Sequence, residues 1–266
     1  MELKGKVIVI TGASSGIGEA LALALAPRGP KLVLSGRDGA KLNEVAAQCQ
    51  KRGARAIAHV ADIAEPTDCQ SIIDRAVVEF DGIDVIVNNA GVTMWARFDA
   101  LADLAAFEQL MRVNYLGAVH LTRYALPALK RSRGLIVAIA SVAGFTGVPE
   151  RTAYAGSKHA LVGFMESLRI ELSGSGVDVT IVAPDFVLTQ THKRAIGPDG
   201  KPLGASPMQT TRIMTADECA ARIVTAIERR KRLLILSARG RLGRWLKLLA
   251  PKLIDRIAAR AIRRRY

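Results

Sequence analysis

The stretch KVIVITGASSGIG runs from Lys6 to Gly18. Val7, Ile8, Val9 and Ile10 form a short β-branched apolar run, the pattern of a strand buried on both faces. TGASSGIG, Thr11 to Gly18, then turns the chain. Gly12, Gly16 and Gly18 let the backbone turn tightly and approach a ligand, with Ser14, Ser15 and Ile17 between them. The helix that opens at Ile17 offers free N–H groups and a positive dipole end, which suit a pyrophosphate. The spacing is G-x-x-x-G-x-G and not the commoner G-x-G-x-x-G. A glycine-rich structural turn is the competing account. Placement directly after the first strand favours a dinucleotide site.

Outward from this unit the same alternation recurs. KLVLSG (Lys31–Gly36), ARAIAHV, IDVIVNN, GLIVAIAS, VDVTIVAP and RLLILS read as further strands. Between them lie helical patterns over 17–28, a charged stretch after residue 38, and 66–79, 101–129, 152–173 and 215–231. Strands apolar on both faces, alternating with helices, predict a parallel sheet covered on both sides. The fold class is therefore α/β: one Rossmann-type doubly wound domain over residues 1–238, with a seven-stranded, mostly parallel sheet. Residues 186–214 are rich in Gly, Pro and Thr and read as a long loop with at most a short helix. Residues 239–266 form a basic amphipathic extension.

Composition narrows the class. The chain has 266 residues, half of them hydrophobic. That is enough for a sizeable core and excludes a disordered chain. Three cysteines, Cys49, Cys69 and Cys219, make neither a disulfide framework nor a zinc site, so no metal is expected and the expected compartment is reducing. With no signal peptide and no apolar run of about 18 residues, the expected location is cytoplasmic. The net charge is +14. Residues 229–266 hold 14 of the 38 Lys and Arg and one of the 24 Asp and Glu, which is +13. Residues 1–228 therefore carry 24 minus 23, or +1. The basic character belongs to an appendage and not to a nucleic-acid-binding face of the domain.

Polar residues gather at the strand ends, where open α/β sheets bind ligands. LSGRD ends the second strand with Ser35, Gly36 and Arg37 where an NAD site commonly has a carboxylate. Arg37 can pair with a 2′-phosphate, helped by Ser14 and Ser15, which favours NADP; Asp38 can pair with Arg37 or touch a ribose. VADI places Asp62 and Ile63 after the third strand, where Asp62 can meet adenine or cap a helix. NNAG, Asn88 to Gly91, ends the fourth strand: its amides can bridge strand ends, Ala90 and Gly91 give a cofactor room, and Asn88 serves either contact or structure. Asn114 stands inside a long helix, where asparagine is slightly disfavoured. Ser141 ends the fifth strand. YAGSK sets Tyr154 four residues before Lys158, on one helix face. An ammonium beside a phenol favours the phenolate, yet the pair alone also fits an ordinary helix surface.

Taken together, the glycine loop, NNAG, Asn114, Ser141 and YAGSK resemble the classical short-chain dehydrogenase/reductase family, in order and interval, over about residues 5–235. The helix over 215–231 and the basic apolar tail look more like its hydroxysteroid dehydrogenase-type branch. The resemblance implies an NADP(H)-dependent oxidoreductase interconverting a carbonyl and an alcohol. It implies Tyr154 as general acid–base, Lys158 as its cationic neighbour, Ser141 as a donor to the reacting oxygen, and Asn114 as the holder of a water beside Lys158. Pro184, Val187 and Thr189 in PDFVLT are then expected at the nicotinamide. Asp185 stands where the family usually has glycine, so a different local turn is expected there. His159 is expected to pack or to face a dimer partner.

The substrate pocket is expected to draw on Val92, Thr93, Met94, Phe145, Val148, Phe186, Leu188 and Met208. Most are apolar, which points to a hydrophobic ketone, aldehyde or secondary alcohol. The resemblance also implies a homodimer or homotetramer through helices 101–129 and 152–173. The rival readings are a non-catalytic dinucleotide sensor on the same fold and nucleic-acid binding through the tail. In the tail, Leu242, Leu246, Leu249, Leu253, Ile257 and Ala261 recur every three or four residues. Arg241, Arg244, Lys247, Lys252, Arg256, Arg260 and Arg263 fall mostly off that stripe. Pro251 should divide it into two short helices, with Trp245 on the border. The pattern predicts an element lying on an anionic membrane surface; packing on the protein's own core is the alternative.

Overall fold

The computed structural model describes residues 1–205 and 213–263, the side chains of 261–263 excepted. Seven parallel strands form the sheet: β1 (Val7–Thr11), β2 (Lys31–Gly36), β3 (Arg55–Val60), β4 (Val85–Asn88), β5 (Leu135–Ile139), β6 (Asp178–Ala183) and a last strand, β9 (Leu233–Ile235). Their order is β3-β2-β1-β4-β5-β6-β9. The order reverses between β1 and β4, which opens a crevice at their carboxyl ends.

Alternation along each strand assigns the two faces. Ile8 and Ile10 join Leu32, Leu34, Val85 and Val87 on one face, under helices α1 (Gly16–Leu25), α2 (Gly39–Lys51) and α7 (Ala216–Glu228). Val7 and Val9 join Val33, Ile86, Ile136 and Ala138 on the other, under α3 (Pro66–Phe80), α5 (Gly117–Ser132) and α6 (Thr152–Glu171). Every residue of β1, β4 and β5 is buried, so the continuous apolar runs are explained. Cys49, Cys69 and Cys219 are free and buried in these layers.

Two elements differ from expectation. The helix over 101–129 is α4 (Ala105–Met111) and α5 joined by a π-turn, Arg112–Leu116. The turn widens the backbone at Asn114, and Gly117 then passes so close to the chain that a Cβ would lie 2.6 Å from the Ile63 carbonyl oxygen. Within 186–214, β7 (Val187–Leu188) pairs in parallel with β8 (Met214–Thr215), and Gln190–His192 makes one 3₁₀ turn. Two-residue strands carry no periodicity to read. Thr215 and Glu218 form the capping box that starts α7.

The tail forms α8 (Ala238–Leu249) and α9 (Pro251–Arg263), divided at Pro251 as expected. Ser237 caps α8 by accepting from Gly240 N at 2.9 Å.

Candidate active site

Thr11 ties the glycine loop to the crevice. Its hydroxyl accepts from the backbone N–H of Asn89 and of Ala90, both at 3.0 Å. Asn89 Nδ2 donates to the Thr11 carbonyl at 2.8 Å. Gly12 and Gly16 have φ of 64° and 61°, the left-handed region that suits glycine. At Gly18 a Cβ would sit 2.3 Å from the Gly12 carbonyl oxygen, so only glycine lets α1 begin this close to the loop. Ser15, the residue before α1, makes no side-chain cap, which leaves the helix's first N–H groups to the cleft.

One cleft runs from this loop to the ends of β5 and β6. Gly12, Ser14, Ser15, Ile17, Arg37, Asp62, Ile63, Ala90, Gly91, Ser141, Tyr154, Lys158, Pro184, Val187 and Thr189 all line it. Gly16, Gly18, Asn88 and Asn114 do not, and each has a structural placement. Gly16 backs onto the Thr189 side chain, with a Cβ 3.3 Å from its methyl. Asn88 is buried and donates to the Thr122 hydroxyl at 3.2 Å, so in NNAG the bridge between strand ends is made by its neighbour Asn89.

At the adenosine end, Gly36 is so near Ser14 that a Cβ would lie 3.3 Å from its hydroxyl oxygen. Arg37 is largely exposed and lies 3.8 Å from the Asp62 carboxylate. Asp38 also lines the cleft, and one of its oxygens caps α2 by accepting from Lys41 N at 3.0 Å. Asp62 also accepts from Ala64 N at 3.0 Å, but α3 begins at Pro66 after Glu65, so Asp62 is not its cap.

At the other end α6 delivers Tyr154 and Lys158 to the cleft on successive turns. Lys158 is buried and its Nζ donates to the Ile139 carbonyl at 2.8 Å. Burial pushes its pKa down, and the neighbouring Tyr154 phenol opposes that shift. The ammonium lies 5.9 Å from the Tyr154 ring centroid. Ser141, just past β5, donates to the Pro184 carbonyl at 3.4 Å and accepts from Ala143 N. Asn114 sits behind the cleft. Its Oδ1 accepts from Val92 N at 2.8 Å, and its Nδ2 donates to the Val92 carbonyl and, at 3.0 Å, to the Ser157 hydroxyl. The π-turn is thus bonded to the helix that carries Tyr154 and Lys158. The Gly91 Cβ position is 3.2 Å from Asn114 Oδ1 and 3.7 Å from Lys158 Nζ, so a side chain there would fill the space between them.

The far side of the cleft is more polar than expected. Val92 and Thr93 line it, together with Gln109, Arg151, His192 and Arg194. Met94 is fully buried. Phe145, Val148, Phe186 and Leu188 are not in the lining, and Met208 lies outside the described residues. Arg151 is buried with its guanidinium 4.4 Å from the Tyr154 ring centroid and 5.2 Å from that of Trp95, and it donates to the Thr93 hydroxyl. Nothing distinguishes Arg151 in sequence from the other basic residues. Burial lowers the His192 pKa, a hydrogen bond with the Val187 carbonyl opposes that, and the Arg151 charge adds to the lowering.

The family model described as short chain dehydrogenase matches residues 6–197. The chain belongs to the short-chain dehydrogenase family. It is an oxidoreductase, and its similarity runs to the hydroxysteroid dehydrogenase-type branch. It is 36% identical over 260 residues to 11-beta-hydroxysteroid dehydrogenase 1A of Arabidopsis thaliana, covering 95% of this chain and 74% of that protein. It is 35% identical over 258 residues to the dehydrogenase/reductase SDR family protein 7-like of Dictyostelium discoideum, covering 95% and 80%. Among solved structures, a short chain dehydrogenase/reductase from Burkholderia phymatum in complex with NAD superimposes with a TM-score of 0.83 at 27% identity, covering 95% of this chain and 96% of that one. An alcohol dehydrogenase from Thermococcus sibiricus, complexed with 5-hydroxy-NADP, gives 0.77 at 28% identity, covering 88% and 96%. Among the described residues no helix is long and apolar enough to cross a membrane, and no cluster of His, Cys, Asp and Glu is placed to hold a metal.

Proposed function

We propose that this dehydrogenase uses NADP(H) to interconvert a carbonyl and a secondary alcohol on a bulky hydrophobic substrate of the hydroxysteroid kind. The observation that carries the reading is the convergence of Ser141, Tyr154 and Lys158 on the cleft that the glycine loop also lines. A nicotinamide dinucleotide fits the residues present. The uncapped start of α1 and the glycine loop suit its pyrophosphate, Arg37 and Ser14 suit a 2′-phosphate, and Pro184, Val187 and Thr189 edge the opposite end. The relatives' names supply the substrate class.

When bound, the dinucleotide supplies or accepts the hydride. The chain's own residues handle the oxygen and the proton. Tyr154 gives its phenolic proton to the substrate oxygen in reduction and takes it back in oxidation. Ser141 donates a hydrogen bond to the same oxygen, where negative charge grows. Lys158, fixed by Ile139, keeps a positive charge beside the phenol. Asn114 holds a water that links Lys158 to solvent. His192, kept neutral by burial, and Arg151 give the substrate end of the cleft a polar wall.

Two further features complete the proposal. The outer faces of α5 and α6 pair across a two-fold axis in a homo-oligomer; Ile170 of α6 and Leu116 of the adjoining π-turn are exposed, and Gly156 and Gly163 have open space above them. The outer face of α8 and α9 lies on an anionic membrane surface.

A turnover screen with NADPH and NADH against a panel of ketosteroids, other ketones and aldehydes tests the function. Faster NADPH oxidation with the bulky ketones is expected. No turnover with either cofactor across the panel defeats the reading and leaves a dinucleotide-binding protein.

A further inference from the structure

Asp185 occupies the position after Pro184 where the family resemblance leads one to expect glycine. Its φ is not positive, so the backbone there does not require glycine. Its carboxylate is mostly buried, and one oxygen, Oδ2, accepts three hydrogen bonds from the start of α8 and the residue that caps it. Ser237 Oγ donates at 2.9 Å, Arg239 Nε at 3.1 Å and Arg239 Nη2 at 2.8 Å. The Arg239 guanidinium also lies 5.9 Å from the Phe186 ring centroid.

The helix held there covers the segment that follows Ser141. Gly240 meets Val142 so closely that a Cβ would be 2.5 Å from its methyl carbon. Lys247 Nζ donates to the Phe145 carbonyl at 2.9 Å, and the Arg244 guanidinium lies 5.4 Å from the Phe145 ring centroid. The two loops beneath α8 are themselves joined, because Val142 N and Ser141 Oγ both donate to the Pro184 carbonyl. Asp185 lines the cleft next to that carbonyl.

We infer that Asp185 and Arg239 form a latch that holds α8 against the back of the two loops at the active site, and that both are positioning residues for Ser141 and the Pro184 loop. The inference rests on the oxidoreductase reading above. The latch acts on where Ser141 stands, and errors of about 1 Å at a reacting centre cost up to about a hundredfold in rate. It does not touch the adenosine end, some distance along the same cleft.

The test uses the full chain with Asp185→Asn, Arg239→Ala and Arg239→Lys. Arg239 is exposed, so its variants should fold. Asp185→Asn and Arg239→Ala should lower kcat at least about tenfold while the NADPH dissociation constant stays within about twofold, and Arg239→Lys should recover part of kcat. Trypsin should cut the tail between Arg241 and Lys252 faster in Asp185→Asn and Arg239→Ala than in the wild type. A released tail with unchanged kcat overturns the inference. A tail cut at the wild-type rate in both variants overturns it too. Wild-type protein without turnover on any carbonyl counts against the oxidoreductase reading instead, and the trypsin rates still decide whether the latch exists.

Discussion

Lys158 Nζ donates to the main-chain carbonyl of Ile139 at 2.8 Å, two residues before Ser141. The contact fixes the cation to the strand end that carries the serine, inside a site where burial lowers the lysine pKa below its ordinary 10.5. A lowered pKa means that the folded protein holds fewer protons than the unfolded chain between the two values. Stability therefore rises with pH across that window and falls as pH drops through the folded value. Lys158→Met removes this contribution. Urea midpoints measured from neutral to alkaline pH should show wild type gaining on the variant as pH approaches 10.5. A difference that is flat with pH rejects the account.

Tyr154→Phe removes one oxygen and keeps the ring under Arg151. General acid–base catalysis contributes about 10²–10⁴-fold, so kcat should fall by about that factor, with NADPH affinity retained. Activity within a few-fold of wild type would remove Tyr154 from the proton-transfer role.

The proposed preference for NADP rests on Arg37. Arg37 lines the cleft next to Gly36, whose neighbour across the loop is Ser14, and with Ser14 it would meet a 2′-phosphate. A hydrogen bond to a charged group contributes about 1.5–3 kcal/mol, and exposure of this site puts the effect at the lower end. Arg37→Ala should raise KM for NADPH about tenfold and leave NADH nearly unchanged. Equal effects on both cofactors defeat the assignment.

Much of this was legible in the sequence because the signals were local. Buried parallel strands such as Val7–Thr11 and Leu135–Ile139 announce themselves as unbroken apolar runs, and the glycine loop and YAGSK have fixed spacings. What escaped depends on register or on distance. Asn88 and Asn89 are the same residue side by side, and only the pleat sends one to Thr122 and the other to Thr11. The π-turn at Asn114 is written in residues that also suit an α-helix. The Asp185–Arg239 pair spans 54 positions, and no pattern in the tail marks Arg239 as a partner.

The proposed homo-oligomer is argued from the faces that the π-turn, α5 and α6 leave open. Ile170 of α6 is 73% exposed and Leu116 of the π-turn 40%, and Tyr115 of that turn meets Phe164 of α6 edge to face at 6.2 Å. A second copy would cover them. Sedimentation at micromolar concentration should give a mass of two or four chains; a mass near 28.5 kDa rejects pairing.

The tail separates its duties between two sides. Arg239, Arg244 and Lys247 face the domain, through Asp185 and Phe145, and Arg241 donates to the Ile235 carbonyl. Leu246 is half-buried and leaves the expected stripe, while Ala261 and Arg263 have side chains outside the described residues. The outer side keeps Leu242, Trp245, Leu248 and Leu249 on α8, and Leu253 and Ile257 on α9, each between 47% and 82% exposed. Lys252, Arg256 and Arg260 are exposed beside them. An apolar band flanked by cations matches an anionic bilayer surface, where each cation adds about 1 kcal/mol and salt weakens it. Full-length protein should therefore float with vesicles containing phosphatidylserine at low ionic strength and leave them at about 1 M salt, where the Debye length is about 3 Å. Replacing Lys252, Arg256 and Arg260 by Glu should abolish flotation with NADPH affinity unchanged, because all three are exposed on α9 and none lines the cleft. Replacing Leu249 by Asp should do the same through the apolar band. Protein that ignores such vesicles at low salt leaves this face to be covered by something other than lipid.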